Sequence, residues 1–447
     1  MCNSNCLRQI AAEIEEPDEP PLGSLWSTAV PLFLIFGTSS AVLCAVNFAI
    51  THCSSPSLAF NAGFLRFFCD AWTKRGFGTL DSWQFLIVFM IYSSLSIEAL
   101  GGSRYQGPPT STGFTPVYWH SGFTYYVLTM EFAGYFLLGK NLRCYSIYEG
   151  LPGCTMVLVI MALIVAVALY AKGILEPSAG DHGRTGNIVY DFFWGIELFP
   201  RIGDRFDVKK WVMSRFGMML WQLLVLASWK AQVDVYGWNW AMAATASLQT
   251  VYIAKFFWWE DGYMQTTGIS IDKAGFFLCW SGIAFLGPMY SLTSFYMVDH
   301  SPSISVESAA VIVTLGLLMI SLTYWCDYQK RLAREKQNKC TIWGSPPVLI
   351  KATYEDASGE SRTNVLLASG FWSICRHPHY VFEILTGLFW ALPSGGQSVV
   401  PYLYVIFLVG LLTYRTCRLE DVCAKKYGKH WEEYCSLVKY KIIPYIY

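Results

Sequence analysis

The chain has 447 residues, of which 54% are hydrophobic, 17% aromatic and only 14% charged, and its mean hydropathy is +0.35. Soluble globular proteins carry about 25% charged residues, so this composition excludes an ordinary soluble enzyme and indicates an all-α, polytopic integral membrane protein. The formal net charge is zero, which removes any general electrostatic reason to bind nucleic acid.

The chain begins with a polar, acidic segment and continues in long apolar runs. Residues 1–25 lack the basic and apolar regions of a signal peptide, so we expect a flexible cytosolic tail followed by an uncleaved membrane anchor. A membrane-spanning helix needs about 20 mostly apolar residues, and this criterion predicts about ten spans. They are 27–50, 80–101, 120–138, 152–173, 213–232, 239–258, 276–296, 307–326, 379–394 and 399–415.

Basic residues predict the orientation of the chain. The richest Lys/Arg segments are Lys330–Lys339 and Lys425–Lys441, and segments of this kind remain in the cytosol. The polar stretch 327–365 contains turn signals that predict a small hairpin. We expect a transmembrane helical domain over 26–326 and a C-terminal region, with the last two spans, over 327–447.

Two aromatic and acidic stretches lie beside predicted spans. In Gly186–Lys209, Asp191 and Glu197 stand among aromatic residues, and in Lys255–Phe276 an aromatic run ends on Glu260. Burial raises the pKa of a carboxyl group, which suits it to supply a proton inside an apolar cavity. A wall of Phe and Trp suits a flat, apolar substrate. The alternative for both stretches is an interfacial aromatic belt whose charges anchor a loop.

Basic and aromatic residues gather near the C-terminus. Lys330 and Arg334 are spaced i,i+4, so they share a helical face that can clamp phosphates; ordinary anchoring at the membrane surface is the alternative. Two further groups flank a possible hairpin of spans, which would bring them to one cytosolic mouth with cations for phosphates and aromatic faces for a nicotinamide. They are Arg376, His377, His379 and Tyr380, then Arg415, Arg418, Lys425, Lys426 and Tyr427.

Missing motifs exclude other chemistry. The seven histidines form no HxxxH or HxxHH cluster, which argues against a di-iron membrane desaturase, and no GxGxxG opens a Rossmann helix. The fourteen cysteines are scattered without a CxxC pair, so we expect buried thiols rather than a zinc site or a disulfide framework. We expect no bound metal.

Two stretches resemble the signatures of the membrane sterol reductase family. Within that family, KFFWWEDGY, CTIWGSPP, LLASGFW and RHPHYVFEIL are most similar to the Δ7-sterol reductase branch of plants and algae. The first signature, D-x-[aromatic]-x-G-x-x-L-x-P-R, is matched at Asp191, Gly195, Leu198, Pro200 and Arg201, and the second at Arg415, Arg418, Cys423, Lys426, Tyr427, Gly428, Trp431 and Tyr434.

The resemblance implies an endoplasmic-reticulum enzyme that reduces a sterol double bond with NADPH, with membrane lipid and a 5,7-diene sterol as partners. It implies a C-terminal, cytosol-facing cofactor pocket. Leu419 departs from the aspartate that is usual at its position, and Ile271 from a common histidine. The implied cofactor contacts are Lys330, Arg334, Leu367, Trp372, Arg376, His379, Tyr380, Arg415, Leu419, Cys423, Ala424, Lys425, Lys426, Tyr427 and Tyr434.

The chemistry of a 5,7-diene suggests how the C7=C8 bond would be reduced. An isolated C=C accepts hydride poorly, but protonation at C8 gives an allylic cation that accepts hydride at C7. The protein must supply a proton donor and a dry cavity, and the aromatic faces of Trp258 and Trp259 would stabilise the cation. The candidate proton donors are Glu260, Tyr290, Asp191 and Glu197.

Three other functions remain open. The shared signatures also fit a Δ14- or C24(28)-sterol reductase. The RHPxY element at Arg376–Tyr380, followed by the pair Glu432-Glu433, also resembles integral-membrane methyltransferases that use S-adenosylmethionine. A non-catalytic sterol-binding role is the third, and the loss of the signature aspartate at Leu419 is the only sequence feature in its favour.

Overall fold

A computed structural model describes residues 25–51, 63–73, 76–107, 114–139, 143–178, 183–266, 269, 272–355 and 361–446. The expected N-terminal tail, apart from Leu25, and Ile271 lie outside these residues. The described chain forms two compact units. One comprises the residues up to Ser305 together with Pro393–Pro401, and the other comprises Val306–Leu392 together with Tyr402–Tyr447.

The first unit is helical, with two short antiparallel hairpins. The strand pairs are β1 (Arg104–Gln106) with β2 (Val117–Trp119), and β3 (Arg201–Ile202) with β4 (Phe206–Asp207). The helices are α1 (Trp26–Thr51), α2 (Phe64–Thr73), α3 (Leu80–Ala99), α4 (Gly122–Leu138), α5 (Cys144–Leu175), α6 (Ile188–Trp194), α7 (Val208–Tyr236), α8 (Trp240–Trp258), α9 (Glu260–Met264) and α10 (Phe276–His300, broken at Ser291).

The second unit combines four helices with one longer hairpin. In that hairpin, β5 (Leu349–Glu355) pairs with β6 (Ser361–Leu367), with Leu349 opposite Leu367 and Glu355 opposite Ser361, so the predicted hairpin is confirmed. Its apolar face packs against Trp431 and Tyr434. The helices are α11 (Val306–Lys336), α12 (Pro378–Ala391), α13 (Leu403–Tyr427) and α14 (Lys429–Leu437).

The prediction of an all-α, polytopic membrane protein is confirmed. Seven helices in the described residues are long and apolar enough to cross a membrane. A helix also satisfies its own backbone hydrogen bonds, as the bilayer core requires. The other predicted spans coincide with α4, α8 and α12, which are shorter or more polar, so the count of about ten stays a prediction.

Two spans of the first unit contain π-helical turns that pack against each other. They are Trp211–Met218 in α7 and Trp280–Phe285 in α10. Glycines allow the close approach: a Cβ added to Gly217 would lie 2.5 Å from the carbonyl oxygen of Gly282. π-Turns recur at functional sites, and the second one lies just before Tyr290, where α10 is interrupted.

Candidate active site

The first signature forms a tightly bonded loop in the first unit. Asn187 caps α6 by accepting hydrogen bonds from the backbone N–H groups of Val189 and Tyr190. Asp191 accepts from the backbone N–H of Thr185 at 3.0 Å and from its hydroxyl at 2.7 Å. The Asp191 carboxylate therefore closes the loop on itself.

Glu197, the second acid of this signature, is also engaged. Its two carboxylate oxygens each accept from the Lys172 ammonium group at 3.1 Å, and one of them also accepts the backbone N–H of Ser178. Gly195 has a φ of +103°, and its Cα lies against the backbone of Ala274 and Gly275. The signature therefore packs directly against the backbone of a later segment and has a structural role at this point. A side chain at position 195 would have no room.

Glu260 lies at the centre of a buried charged cluster. Its carboxylate accepts hydrogen bonds from Arg215 and from the hydroxyl of Ser214, and the Lys210 ammonium lies 3.2 Å away. Arg215 also donates to Ser121 at 2.9 Å. The cluster therefore ties the start of α9 to α7 and to the segment before α4.

The charges around Glu260 decide its protonation. Burial opposes ionisation, but the positive charges of Arg215 and Lys210 hold the pKa of Glu260 at about 2. A carboxyl group with this pKa is ionised at neutral pH and carries no proton to donate. In this geometry Glu260 is a charged anchor.

Trp258, two residues before Glu260, is 64% exposed, so the Trp258 indole lies on the surface of the unit.

Tyr290 is held by aromatic rings at the interruption of α10. Its ring meets that of Trp221 edge to face, with centroids 5.1 Å apart and planes at 87°. A second ring, Phe285, lies 6.1 Å away at 78°. Of the four candidate proton donors, Tyr290 is the one phenol, whereas the other three are carboxyl groups engaged by the donors named above.

In the second unit, three cations of the predicted cofactor set converge. Arg334 and Arg415 both lie within electrostatic range of Lys330, as does the carboxylate of Asp327. In the described part of the chain, no salt bridge joins Lys330, Arg334 or Arg415 to a carboxylate. Lys330 instead lies over the ring of Trp372 at 4.7 Å. Three cations that form no salt bridge in this part of the structure make a site suited to phosphate groups.

The aromatic members of the predicted set form one stack next to Lys330. His379 lies 5.2 Å from Trp372 and 4.3 Å from Tyr380, measured between ring centroids. Tyr380 in turn lies parallel to His377 at 5.0 Å. Trp372 is fixed by the bond from its indole N–H to the carbonyl of Cys326, at 2.9 Å. Of these rings, Trp372, His377 and Tyr380 are buried and His379 is partly exposed, so His379 is the member of the stack that a base or nicotinamide could reach.

Arg376 is bonded to groups of the protein itself, whereas the sequence predicted that it would contact the cofactor. Its guanidinium donates to Glu420 and to the carbonyls of Val438 and Lys439. Burial lowers the pKa of the neighbouring His377, against the opposing effect of Glu420. Arg376 therefore fastens the C-terminal segment to α13.

The remaining predicted contacts lie on α13, α14 and the hairpin. Tyr427 accepts a hydrogen bond from the side-chain amide of Asn364 at 2.8 Å, and the Lys426 ammonium lies 4.2 Å from the centre of the Tyr354 ring. Burial raises the pKa of Tyr434. Leu367 is buried with Trp372. Leu419 and Cys423 are half-buried, whereas Ala424 and Lys425 are exposed.

Sequence reasoning missed Lys210 and Arg215, the partners of Glu260. Arg215 falls inside the predicted span 213–232, and a charge within an apolar span is by itself a sign of a buried partner. The amide of Gln249, which bonds to Trp221, gave no comparable signal because glutamine is uncharged.

Comparison with known proteins identifies the family. Residues 39–447 match the model of the Ergosterol biosynthesis ERG4/ERG24 family. The chain is 38% identical to 7-dehydrocholesterol reductase of Arabidopsis thaliana over 83% of this chain and 86% of that protein. It is 34% identical to 7-dehydrocholesterol reductase of Danio rerio over 64% of this chain and 61% of the relative.

A relative of another specificity is also similar. Delta(14)-sterol reductase TM7SF2 of Mus musculus is 31% identical over 73% of this chain and 76% of its own length. The family match covers nearly the whole chain, including both signatures, and agrees with the membrane-spanning helices of the structure. The chain therefore belongs to the ERG4/ERG24 family and is a membrane-bound oxidoreductase of sterols.

Proposed function

We propose that this protein reduces the C7=C8 double bond of 5,7-diene sterols with NADPH, in sterol biosynthesis. The observation that carries the proposal is the 38% identity to a 7-dehydrocholesterol reductase over 83% of the chain. Endoplasmic-reticulum localisation, a cytosolic C-terminal region and a sterol-holding N-terminal domain at 26–326 belong to the same proposal. The basic segments near the C-terminus support that orientation.

The second unit fits a dinucleotide phosphate. Lys330, Arg334 and Arg415 bring three positive charges together. Among the residues that the structure describes, none of the three forms a salt bridge, which leaves their donors for phosphate oxygens. His379, the partly exposed ring next to Trp372, offers a flat face on which an aromatic ring stacks. When bound, NADPH would supply hydride from its nicotinamide ring. The chain's own residues would hold and orient it.

In this proposal, a residue of the first unit supplies the proton. Asp191 and Glu197 are engaged by donors, and Glu260 is held ionised. Tyr290 is therefore the donor that we favour, giving its phenolic proton to C8 of the diene. The resulting allylic cation would be stabilised by aromatic faces that line the sterol cavity, and an apolar surrounding keeps water away from it.

Δ14-Sterol reduction is the second candidate, because a Delta(14)-sterol reductase is 31% identical over 73% of the chain. The two activities use the same cofactor chemistry and differ in the bond that the proton donor reaches. A methyltransferase function is supported only by the RHPxY element at Arg376–Tyr380 and the pair Glu432-Glu433.

Expression in a yeast strain that accumulates 5,7-diene sterols tests the proposal. We expect Δ5 sterols to appear in the sterol profile of these cells. A parallel strain that accumulates Δ14-sterols tests the second candidate. An unchanged 5,7-diene profile from well-expressed protein would overturn the proposal. For the purified protein, binding of S-adenosylmethionine in place of NADPH would indicate the methyltransferase.

A further inference from the structure

Trp221 and Tyr290 are joined to a buried amide in the core of the first unit. The Trp221 side chain is fully buried, and its indole N–H donates to Oε1 of Gln249 at 2.9 Å. Gln249, on α8, is itself fully buried. The indole that meets Tyr290 edge to face is thus oriented in part by its hydrogen bond to Gln249.

The same amide is bonded to the helix that carries Tyr290. Nε2 of Gln249 donates to the hydroxyl of Ser294 at 3.2 Å, and Ser294 follows Tyr290 by four residues across the interruption of α10. The contacts thus close a loop from Tyr290 to Trp221, to Gln249, to Ser294 and back to Tyr290. Because the oxygen serves the indole and the nitrogen serves the hydroxyl, the amide has one favoured orientation.

This ring of contacts lies where the regular α-helical hydrogen bonding of α10 is interrupted. The π-turn at Trp280–Phe285, Pro288 and the interruption at Ser291 weaken the regular hydrogen bonding on both sides of Tyr290. Side-chain contacts must then hold the phenol in place. Loss of the Gln249 oxygen leaves the buried indole N–H unpaired, at a cost of about 1–3 kcal/mol, which rotation of Trp221 relieves.

We propose that Gln249 is a positioning residue that sets the phenol of Tyr290 through the indole of Trp221. The inference rests on the proposed role of Tyr290 as proton donor. Gln249 touches no reacting atom in this scheme; it fixes the direction of the donor. A displacement of a reacting group by about 1 Å lowers turnover by up to a hundredfold.

The test compares Gln249 with Gln222, because both are buried between α7 and α8. Gln222 lies next to Trp221 on α7 and bonds Thr250, next to Gln249 on α8, at 3.0 Å. It is fully buried and bonds neither Trp221 nor Ser294. Gln222→Leu is thus a matched control for the loss of a buried amide between α7 and α8.

Turnover of a 5,7-diene sterol is measured for each variant, per folded molecule. We expect Gln249→Leu to lower kcat about tenfold with an unchanged KM for the sterol, and Gln222→Leu to leave both constants within about twofold. Gln249→Glu, whose buried acid is neutral and keeps an acceptor for the indole, should restore most of kcat. In a Tyr290→Phe background, Gln249→Leu should have no further effect on residual turnover.

Each outcome separates the inference from the proposed function. If Tyr290→Phe abolishes turnover but Gln249→Leu behaves like Gln222→Leu, Tyr290 remains the donor and the positioning role is overturned. If Tyr290→Phe turns over normally, the donor assignment fails and the inference falls with it. If the yeast sterol profile shows only Δ14 reduction, the same comparison is made with a Δ14-sterol, and equal effects of the two glutamines again overturn the inference.

Discussion

Arg376 holds Glu420 through two parallel hydrogen bonds, from Nε to Oε1 at 2.7 Å and from Nη2 to Oε2 at 2.8 Å. The remaining nitrogen of the guanidinium donates to the carbonyls of Val438 and Lys439, and the backbone N–H of Arg376 bonds the carbonyl of Tyr440. One side chain thus joins the start of α12, the middle of α13 and the segment after α14. Both partners are largely buried.

We expect Glu420→Ala to destabilise the protein by about 3–5 kcal/mol, because it leaves the Arg376 charge buried without its partner. The measurement is thermal unfolding of the purified protein in detergent. The matched control is Glu335→Ala, which breaks the exposed pair of Arg331 and Glu335, also 2.8 Å long and worth about 0.3–0.5 kcal/mol. Equal shifts for the two variants would mean that the buried pair contributes no special stability.

The pH dependence of stability should report on Glu260. Its pKa of about 2 lies below the ordinary value near 4.3. The ion pairs with Lys210 and Arg215 therefore stabilise the fold fully above about pH 4.3. That stabilisation is lost as the pH falls toward 2.

We expect Glu260→Gln to lower the melting temperature at pH 7, and this difference from the wild type to shrink as the pH falls below about 4.3. The folded fraction of Glu260→Gln should retain its turnover if the residue is an anchor. Loss of turnover in correctly folded Glu260→Gln, with an unchanged melting temperature, would instead favour Glu260 as the proton donor.

The cation cluster of the second unit should govern affinity for NADPH. We expect Lys330→Ala and Arg334→Ala each to raise the KM for NADPH about tenfold or more, since a charge-assisted hydrogen bond contributes about 1.5–3 kcal/mol, with a smaller effect at high salt. Steady-state kinetics at two ionic strengths check this. Lys336→Ala, at the exposed end of the same helix, is the control. A KM that rises equally in all three variants would point to general charge instead of a site.

The crossing of the two π-turns should tolerate no added side chain. We expect Gly217→Ala to lower the melting temperature, because its Cβ would lie 2.5 Å from the carbonyl oxygen of Gly282 and such overpacking costs about 1–3 kcal/mol. Gly410→Ala is the control, since no atom lies within 4 Å of a Cβ there. A melting temperature of Gly217→Ala equal to that of the control would show that α7 and α10 can separate at this point.

The class of the protein and the approximate positions of its long apolar helices followed from the sequence by itself. Whether a segment such as Cys144–Leu175 can cross a membrane depends on the summed hydropathy of consecutive residues, and this is a local property. The hairpin of β5 and β6 was also predictable, because turn residues separate two short strands. The family signatures likewise need no fold to be seen, since they are runs of adjacent residues.

The roles of individual charged and polar groups were decided only by the tertiary structure. Glu260 and Arg215 are 45 residues apart, and Arg376 and Glu420 are 44 residues apart. No local pattern connects such pairs, yet their contact determines whether a carboxyl is a proton donor or an anchor, and whether an arginine is available to a phosphate. Electrostatic interactions depend on distance and burial, and folding alone sets these for residues far apart in the chain.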